Sequence, residues 1–256
     1  MTEQTQKKYE LLKDDTVNHH GRTLYRIKAL ITFGSVAAGE LGGYIETEKN
    51  LDHSGNAWVY GNAEVYGDAR VYGNARVYDN ALVYGNAEVY GNAEVYDNAW
   101  VYDNARVYDN ALVYGNAWVC GNALVYGDAL VYGDARVYGN ARVYGNAWVC
   151  GNALVYGDAL VYGDALVYGN ARVYGNALVR SFAVISERKM IFCASNVGPK
   201  NGTLTVFNGK YGLIVTRGCF TGTVDEFLSK SKEVHDDKTH HEYKLLIEVA
   251  QSRILN

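Results

Sequence analysis

Between Gly55 and Arg180 the chain alternates apolar and polar positions with a period that never slips: an Ala, a variable residue, a Val, usually a Tyr, then two small polar residues. The unit [GD]-[ND]-A-x-V-[YCR] runs 21 times over 126 residues, and every unit keeps its Ala and its Val. Apolar positions two apart belong to a strand, whose side chains point alternately inward and outward. The Gly-Asn, Gly-Asp or Asp-Asn pair that follows belongs to a bend, because Gly enters positive φ freely and Asn and Asp tolerate it better than other side chains. A helix is excluded by the same spacing, which matches no amphipathic helical stripe and puts a Gly in most units. Each hexad is therefore one short strand and one corner, and unbroken six-residue repeats are the signature of a parallel β-helix.

Three hexads per turn make seven regular coils of 18 residues. At ~4.8 Å per rung such a prism is about 34 Å long. Ala and Val should fill a narrow interior, each backbone group should bond to the coil above or below, and corner Asn and Asp side chains should stack in ladders. Outside, Tyr closes 18 of the 20 units that end between residues 60 and 174, so each face should carry a phenol column. These columns read either as strand-favouring residues that shield the rungs or as an adhesive, base-stacking surface. Sorting the variable position by every third unit gives three columns of its own. The one running Trp58, Arg76, Glu94, Leu112, Leu130, Trp148, Leu166 turns apolar toward its C-terminal half. Soluble monomers seldom leave such a stripe bare, so Leu112, Leu130, Trp148 and Leu166 are expected to pack on a second subunit, in a homo-oligomer (dimer or trimer), or on the terminal domain.

The two ends are less repetitive. Residues 1–36 read as an N-terminal β-hairpin cap, with KYELLKDD and RTLYRIKALITF separated by the polar turn Asn18 to Arg22. GELGGYIETEKNLDHSG then drifts into register, placing Ile45 and Leu51 at Ala positions, and the hexapeptide-repeat β-helix spans 37–186 (regular over 55–180), closing with the degenerate unit SFAVIS. Residues 187–256 form a small C-terminal α+β domain. Its strands are MIFCASNV, TLTVFN and GLIVTRGCF. One helix starts from the capping box Thr223 to Glu226, and a second from Thr239 to Glu242 with Tyr243, Ile247, Ala250 and Ile254 on one face.

The repeat resembles the bacterial transferase hexapeptide family, whose members wind three hexads into one triangular turn of a left-handed parallel β-helix. Val59 and Ala63 match the aliphatic and small positions of that family. Tyr60 stands where the family usually has Gly, with Gly61 next, which moves the bend by one residue. The resemblance implies left-handed winding, so the expected chain is mainly β: a left-handed parallel β-helix, with the hairpin cap and α+β tail read from the ends. Family members that transfer acyl groups generally use a His on the coils or on an inserted loop, and the 21 units contain neither. The VYGNA units together with the tail motifs SNVGPKNGTLTVF and GCFTGTVDEF also look like repeat proteins of bacterial phages and prophages. No established activity comes with that likeness.

Charge and chemistry-bearing residues narrow the function further. A net charge of -4 gives no general attraction to polyphosphates, which disfavours a bulk nucleic-acid binder. No run of ~18 apolar residues spans a membrane, the start lacks the apolar core of a signal peptide, and the four Cys are few and scattered, so the chain reads as cytoplasmic. Cys120 and Cys150 fall on different faces and are not expected to pair. The six His all lie outside the regular units. His53 reads as edge packing, HDDKTHHE as a turn feeding a helix rather than a metal site, and Cys193 and Cys219 as ordinary thiols. No catalytic residue, cofactor or metal ligand is assigned. The expected function is a non-enzymatic interaction protein whose rod presents the tail to a protein partner, a host protein if the gene is carried by a phage. Asn196, Lys200, Asn201 and Arg217 are the candidate contact residues, because loops carry binding more often than scaffold strands. The alternatives are an acyltransferase-like enzyme using His53 in a groove between subunits, a self-assembling structural protein, and sequestration of a signalling nucleotide by Tyr and Arg columns.

Overall fold

Each hexad folds as a two-residue strand and a two-residue corner, and the strands stack in parallel into three sheets. The computed structural model describes residues 7–255; residues 1–6 of the expected hairpin cap, and Asn256, lie outside the described residues. Successive rungs within a sheet are 18 residues apart. Face A carries Glu64, Leu82, Trp100, Trp118, Arg136, Leu154 and Arg172 at its outward positions. Face B carries Trp58, Arg76, Glu94, Leu112, Leu130, Trp148, Leu166 and Val184. Face C runs from Arg70 through Glu88, Arg106, Leu124, Arg142 and Leu160 to Leu178. The parallel β-solenoid read from the hexads is thus present, and with the degenerate units at both ends it makes about eight turns. Every repeat Ala and Val is buried in one continuous core, where each fills the space its counterpart fills one coil away.

The corners divide their labour between two residues. The first takes the left-handed conformation, as at Gly61 (φ 60°) and Gly139 (φ 73°). Asp79, Asp97, Asp103 and Asp109 occupy the same conformation. At Asp97 the strain is offset by a carboxylate oxygen that accepts the Gly115 N–H one coil on, at 3.0 Å. The second corner residue, mostly Asn, forms the expected ladders. Asn56, Asn74, Asn92 and Asn110 each donate an amide N–H to the next corner along, ending on the carboxylate of Asp128. An ionised Asp accepts but cannot donate, so a ladder that reaches an Asp ends there.

At the N-terminal end β1 (Tyr9–His19) and β2 (Arg22–Ala29) form an antiparallel hairpin, and β2 pairs in turn with β3 (Leu41–Ile45). β3 is also the first rung of face A, lying parallel to Glu64–Val65, so the hairpin continues that sheet past the first coil with two antiparallel strands. Its register corrects one expectation: Ile45 pairs with Val65 and Leu51 bridges Val71, so both occupy Val positions rather than Ala positions. Eight residues separate Leu51 from Val59 where six separate later Val residues, and the two extra ones enlarge the corner that holds His53. Side chains then close the carbonyls of the first coil. Tyr9 Oη donates to Leu51 O (2.7 Å), buried Lys8 Nζ donates to Ala57 O (2.9 Å), and the Arg26 guanidinium donates to Gly42 O and Gly61 O. Burial pushes the Lys8 ammonium down to about 8, with Asp52 opposing the shift.

The other end is closed by the tail. Its strands Ile191–Val197, Gly202–Gly209, Gly212–Arg217 and Phe220–Thr223 form an antiparallel meander. Alternation along the second strand serves two cores at once: Phe207 joins the solenoid interior, whereas Leu204 and Val206 pack on the helices. Buried Thr205 Oγ1 accepts the Leu178 N–H at 3.2 Å, Thr216 Oγ1 donates to Leu178 O at 2.7 Å, and Asn208 Nδ2 donates to Val184 O at 3.0 Å. The last coil is satisfied by these hydroxyls and the amide together with one antiparallel bridge, Ala183 to Gly209, where the Lys210 N–H donates to Phe182 O. Helix α1 (Val224–Val234) starts from the Thr223 and Glu226 capping box. Helix α2 (Asp237–Ile254) starts earlier than the sequence suggests: Asp236 caps it by accepting the Thr239 N–H, and Glu242 accepts the Gly198 N–H, so the expected Thr239 to Glu242 box is not the helix start.

The narrow core makes Ala105→Leu a direct test of packing. The larger side chain should cost about 1 to 3 kcal/mol, read as a lowered midpoint in thermal or urea unfolding.

Candidate interaction surface

The outward tyrosines stack on one another. On face B the rings of Tyr78, Tyr96, Tyr114 and Tyr132 succeed each other at 4.8 to 4.9 Å with planes within 3°. On face C Tyr108, Tyr126, Tyr144 and Tyr162 do the same at 4.7 to 4.8 Å. A stacked ring has spent its faces on its neighbours and shows solvent only its edge and hydroxyl, so within these columns the phenols shield the rungs. Where Cys120 and Cys150 stand in for Tyr the stacking is interrupted. Cys120 lies on face A and Cys150 on face B, and both are free thiols.

The apolar stripe on face B is continuous. Leu112, Leu130, Trp148, Leu166 and Val184 are direct cross-strand neighbours. Trp148 is 46% exposed, and Phe182 and Tyr211 project beside the last rung at 51% and 81% exposure with their rings 6.0 Å apart. The other end of the same column differs. Trp58 is fully buried under Tyr9 and Phe33 of the N-terminal segment, and Arg76 and Glu94 pair with each other at 3.8 Å. The tail packs across the end of the solenoid and leaves Trp148 uncovered.

The four tail candidates divide. Asn196 and Asn201 hold left-handed turns, and Lys200 is exposed at the tip between them. Arg217 is a clamp for that loop, donating through Nη2 to Val197 O at 2.8 Å while its guanidinium covers Gly202. Gly198 permits the loop to approach α2, since a Cβ there would overlap the Tyr243 hydroxyl. The structure therefore brings Arg217 to the loop and makes Lys200 its free charge.

The histidines take structural contacts. His53 stacks on Tyr9 at 4.3 Å and accepts the Lys8 N–H through Nδ1, which leaves Nε2 to face Glu48 at 3.7 Å. His235 packs near Tyr243, and His240 Nδ1 lies 3.3 Å from Ser231 Oγ. Cys193 is held as a thiol by burial, which pushes it up to about 11, and Cys219 is exposed in a turn whose carbonyl accepts Arg180. Sequence reasoning missed one arrangement. The hairpin tip lays His19 against the solenoid, with Nδ1 2.7 Å from a Glu64 carboxylate oxygen and the ring 5.0 Å from Tyr66. Nothing in the hexads signals it, because it depends on how far the hairpin reaches along face A.

These features define the class: a parallel β-solenoid repeat protein with capped ends and a helical tail. Residues 75–91, 105–121, 119–133, 135–151, 147–163, 159–175 and 165–181 match the family described as YdcK Beta solenoid repeat, to which the chain is therefore similar over those segments. No curated protein matches the chain. Among the described residues no helix is long and apolar enough to cross a membrane.

The phenol columns generate a pH prediction. Burial, with help from neighbouring phenols and carboxylates, raises Tyr66, Tyr96 and Tyr108 from 10.0 to about 12. A group whose folded pKa is raised stabilises the fold fully below its unfolded value and loses that contribution as pH climbs through the folded one. Stability should therefore hold to pH ~10 and fall steeply toward pH ~12. Phenolate absorbance and the β-sheet circular dichroism signal should change together, in contrast to the independent titration of exposed tyrosines.

Proposed function

We propose that the protein is a non-enzymatic interaction scaffold: a rigid rod that associates laterally with a second copy through face B and presents its tail to a protein partner. The observation that carries this reading is the continuous apolar stripe from Leu112 to Val184, half-buried along most of its length and centred on Trp148, the exposed tryptophan of the solenoid. An apolar surface of this continuity favours a partner over water. The closure of both solenoid ends by Lys8, Tyr9, Thr205, Thr216 and Asn208 supports a side-to-side contact over end-to-end polymerisation. The shielded phenol faces and the structural contacts of His53 support binding over base stacking along the columns or acyl transfer. At the tail, Lys200 and Tyr211 are the exposed residues around which recognition is proposed, with Asn196, Asn201 and Arg217 shaping the loop. The likeness of the repeat to hexapeptide and phage-type repeat proteins makes a bacterial cytoplasmic protein the partner class to try first.

Light scattering should return a multiple of the chain mass, and Trp148→Asp should return the single-chain mass with unchanged circular dichroism. A wild-type monomer would refute the lateral contact. For the tail, affinity capture from bacterial lysate should lose its specific protein on Lys200→Glu combined with Tyr211→Ser. Arg217 is left intact in that experiment, because removing its clamp would disturb the loop itself.

A further inference from the structure

The stack on face A has a missing member. Arg136 lies over Trp118 at 4.2 Å, Trp118 stacks on Trp100 at 5.1 Å with planes 5° apart, and then the outward column drops to Leu82 before reaching Glu64. The face of Trp100 turned away from Trp118 has no ring or cation against it among the described residues. It looks across Leu82 toward the hairpin tip. Together His19, His20, Tyr66, Leu82, Tyr84 and Trp100 line a cleft of about 470 Å³. The stacked pair Tyr66 and Tyr84, 5.1 Å apart, forms its side wall, and His19, held behind the wall by Glu64 at 2.7 Å, closes the end opposite Trp100.

We propose that this cleft binds a planar heteroaromatic ring of nucleobase size, seated above Leu82 and stacked on the free face of Trp100. Spacing supports the ring: Glu64 and Trp100 are two rungs apart, so a ring over Leu82 lies one rung from Trp100, within the roughly 4.5 to 7 Å at which aromatic pairs attract. Chemistry supports a heteroaromatic one. The far wall offers the two imidazoles of His19 and His20, whose ring nitrogens donate or accept and so match ring N–H, exocyclic amine and carbonyl groups at the edge of a base. No lysine or arginine lines the cleft, so recognition is of the base and not of a phosphate. The inference stands independently of the lateral contact, which uses a different face.

Saturation-transfer NMR on the full chain with adenosine, guanosine and guanosine monophosphate tests it, with glucose as the non-planar comparator. The expected result is saturable binding of a nucleoside with Kd on the order of 0.1 to 1 mM, unimproved by the phosphate and absent for glucose. Leu82→Trp, which fills the vacant stacking position, and Trp100→Leu, which removes the wall, should each weaken binding at least about tenfold. The same substitution on face C, Leu124→Trp, should leave it unchanged. Absence of nucleoside binding, equal binding in Leu82→Trp and wild type, glucose binding as tightly, or a large gain from the phosphate would each overturn the proposal. Because Leu82→Trp and Trp100→Leu change volume in opposite senses, a folding defect in one leaves the other as the test.

Discussion

The constraint on which the rest depends is the width of the interior. Three two-residue strands meeting around one axis leave space for an Ala and a Val from each, and for little else. Once those positions are set, every rung must sit over the one before it, because a slip of one residue would turn Ala and Val outward. Lateral order follows from axial order. Tyrosines fall above tyrosines and asparagines above asparagines, so contacts that are individually small recur at every coil and hold the same geometry throughout.

That repetition also decides what the surface can do. A ring stacked on both sides has no face left to offer, so the most abundant aromatic residue is the least available for recognition. Chemistry becomes accessible where the pattern lapses. Leu82 interrupts an aromatic stack, the corner after Leu51 gains two residues and shelters His53, and the outward face B column loses its charges after Glu94. The termini supply side-chain hydrogen-bonding groups to the end-coil backbone that the buried Ala and Val positions of the repeat cannot, since those side chains carry none.

Most of the architecture was legible in the hexads because a period-two pattern inside a period-six unit has few physical solutions. The three outward columns, the ladders and the buried face of α2 all follow from counting. The entry register of Ile45 and Leu51 was not legible, since two extra residues in a corner look the same in sequence as a continuous degenerate repeat. Nor was the start of α2, where both Asp236 and Thr239 are acceptable caps, and Glu242, the partner a Thr239 box needs, accepts the Gly198 N–H instead. Arg217 reads as a free basic residue until the meander brings it to the Val197 carbonyl. The cleft beside Trp100 was hidden for a similar reason: half of its wall comes from a hairpin whose reach no local pattern encodes.

The tail docks through Leu178 on one face and Val184 on the next, and this fixes how the molecule can change length. Adding or deleting three hexads would leave both caps in the same angular relation and alter only the distance between them. Adding one would deliver the tail a third of a turn around the axis, away from the side that bears Trp148. Near-identical repeats invite such gains and losses during replication, so a chain of this kind can lengthen as a ruler in whole coils, while fractional coils re-aim the tail.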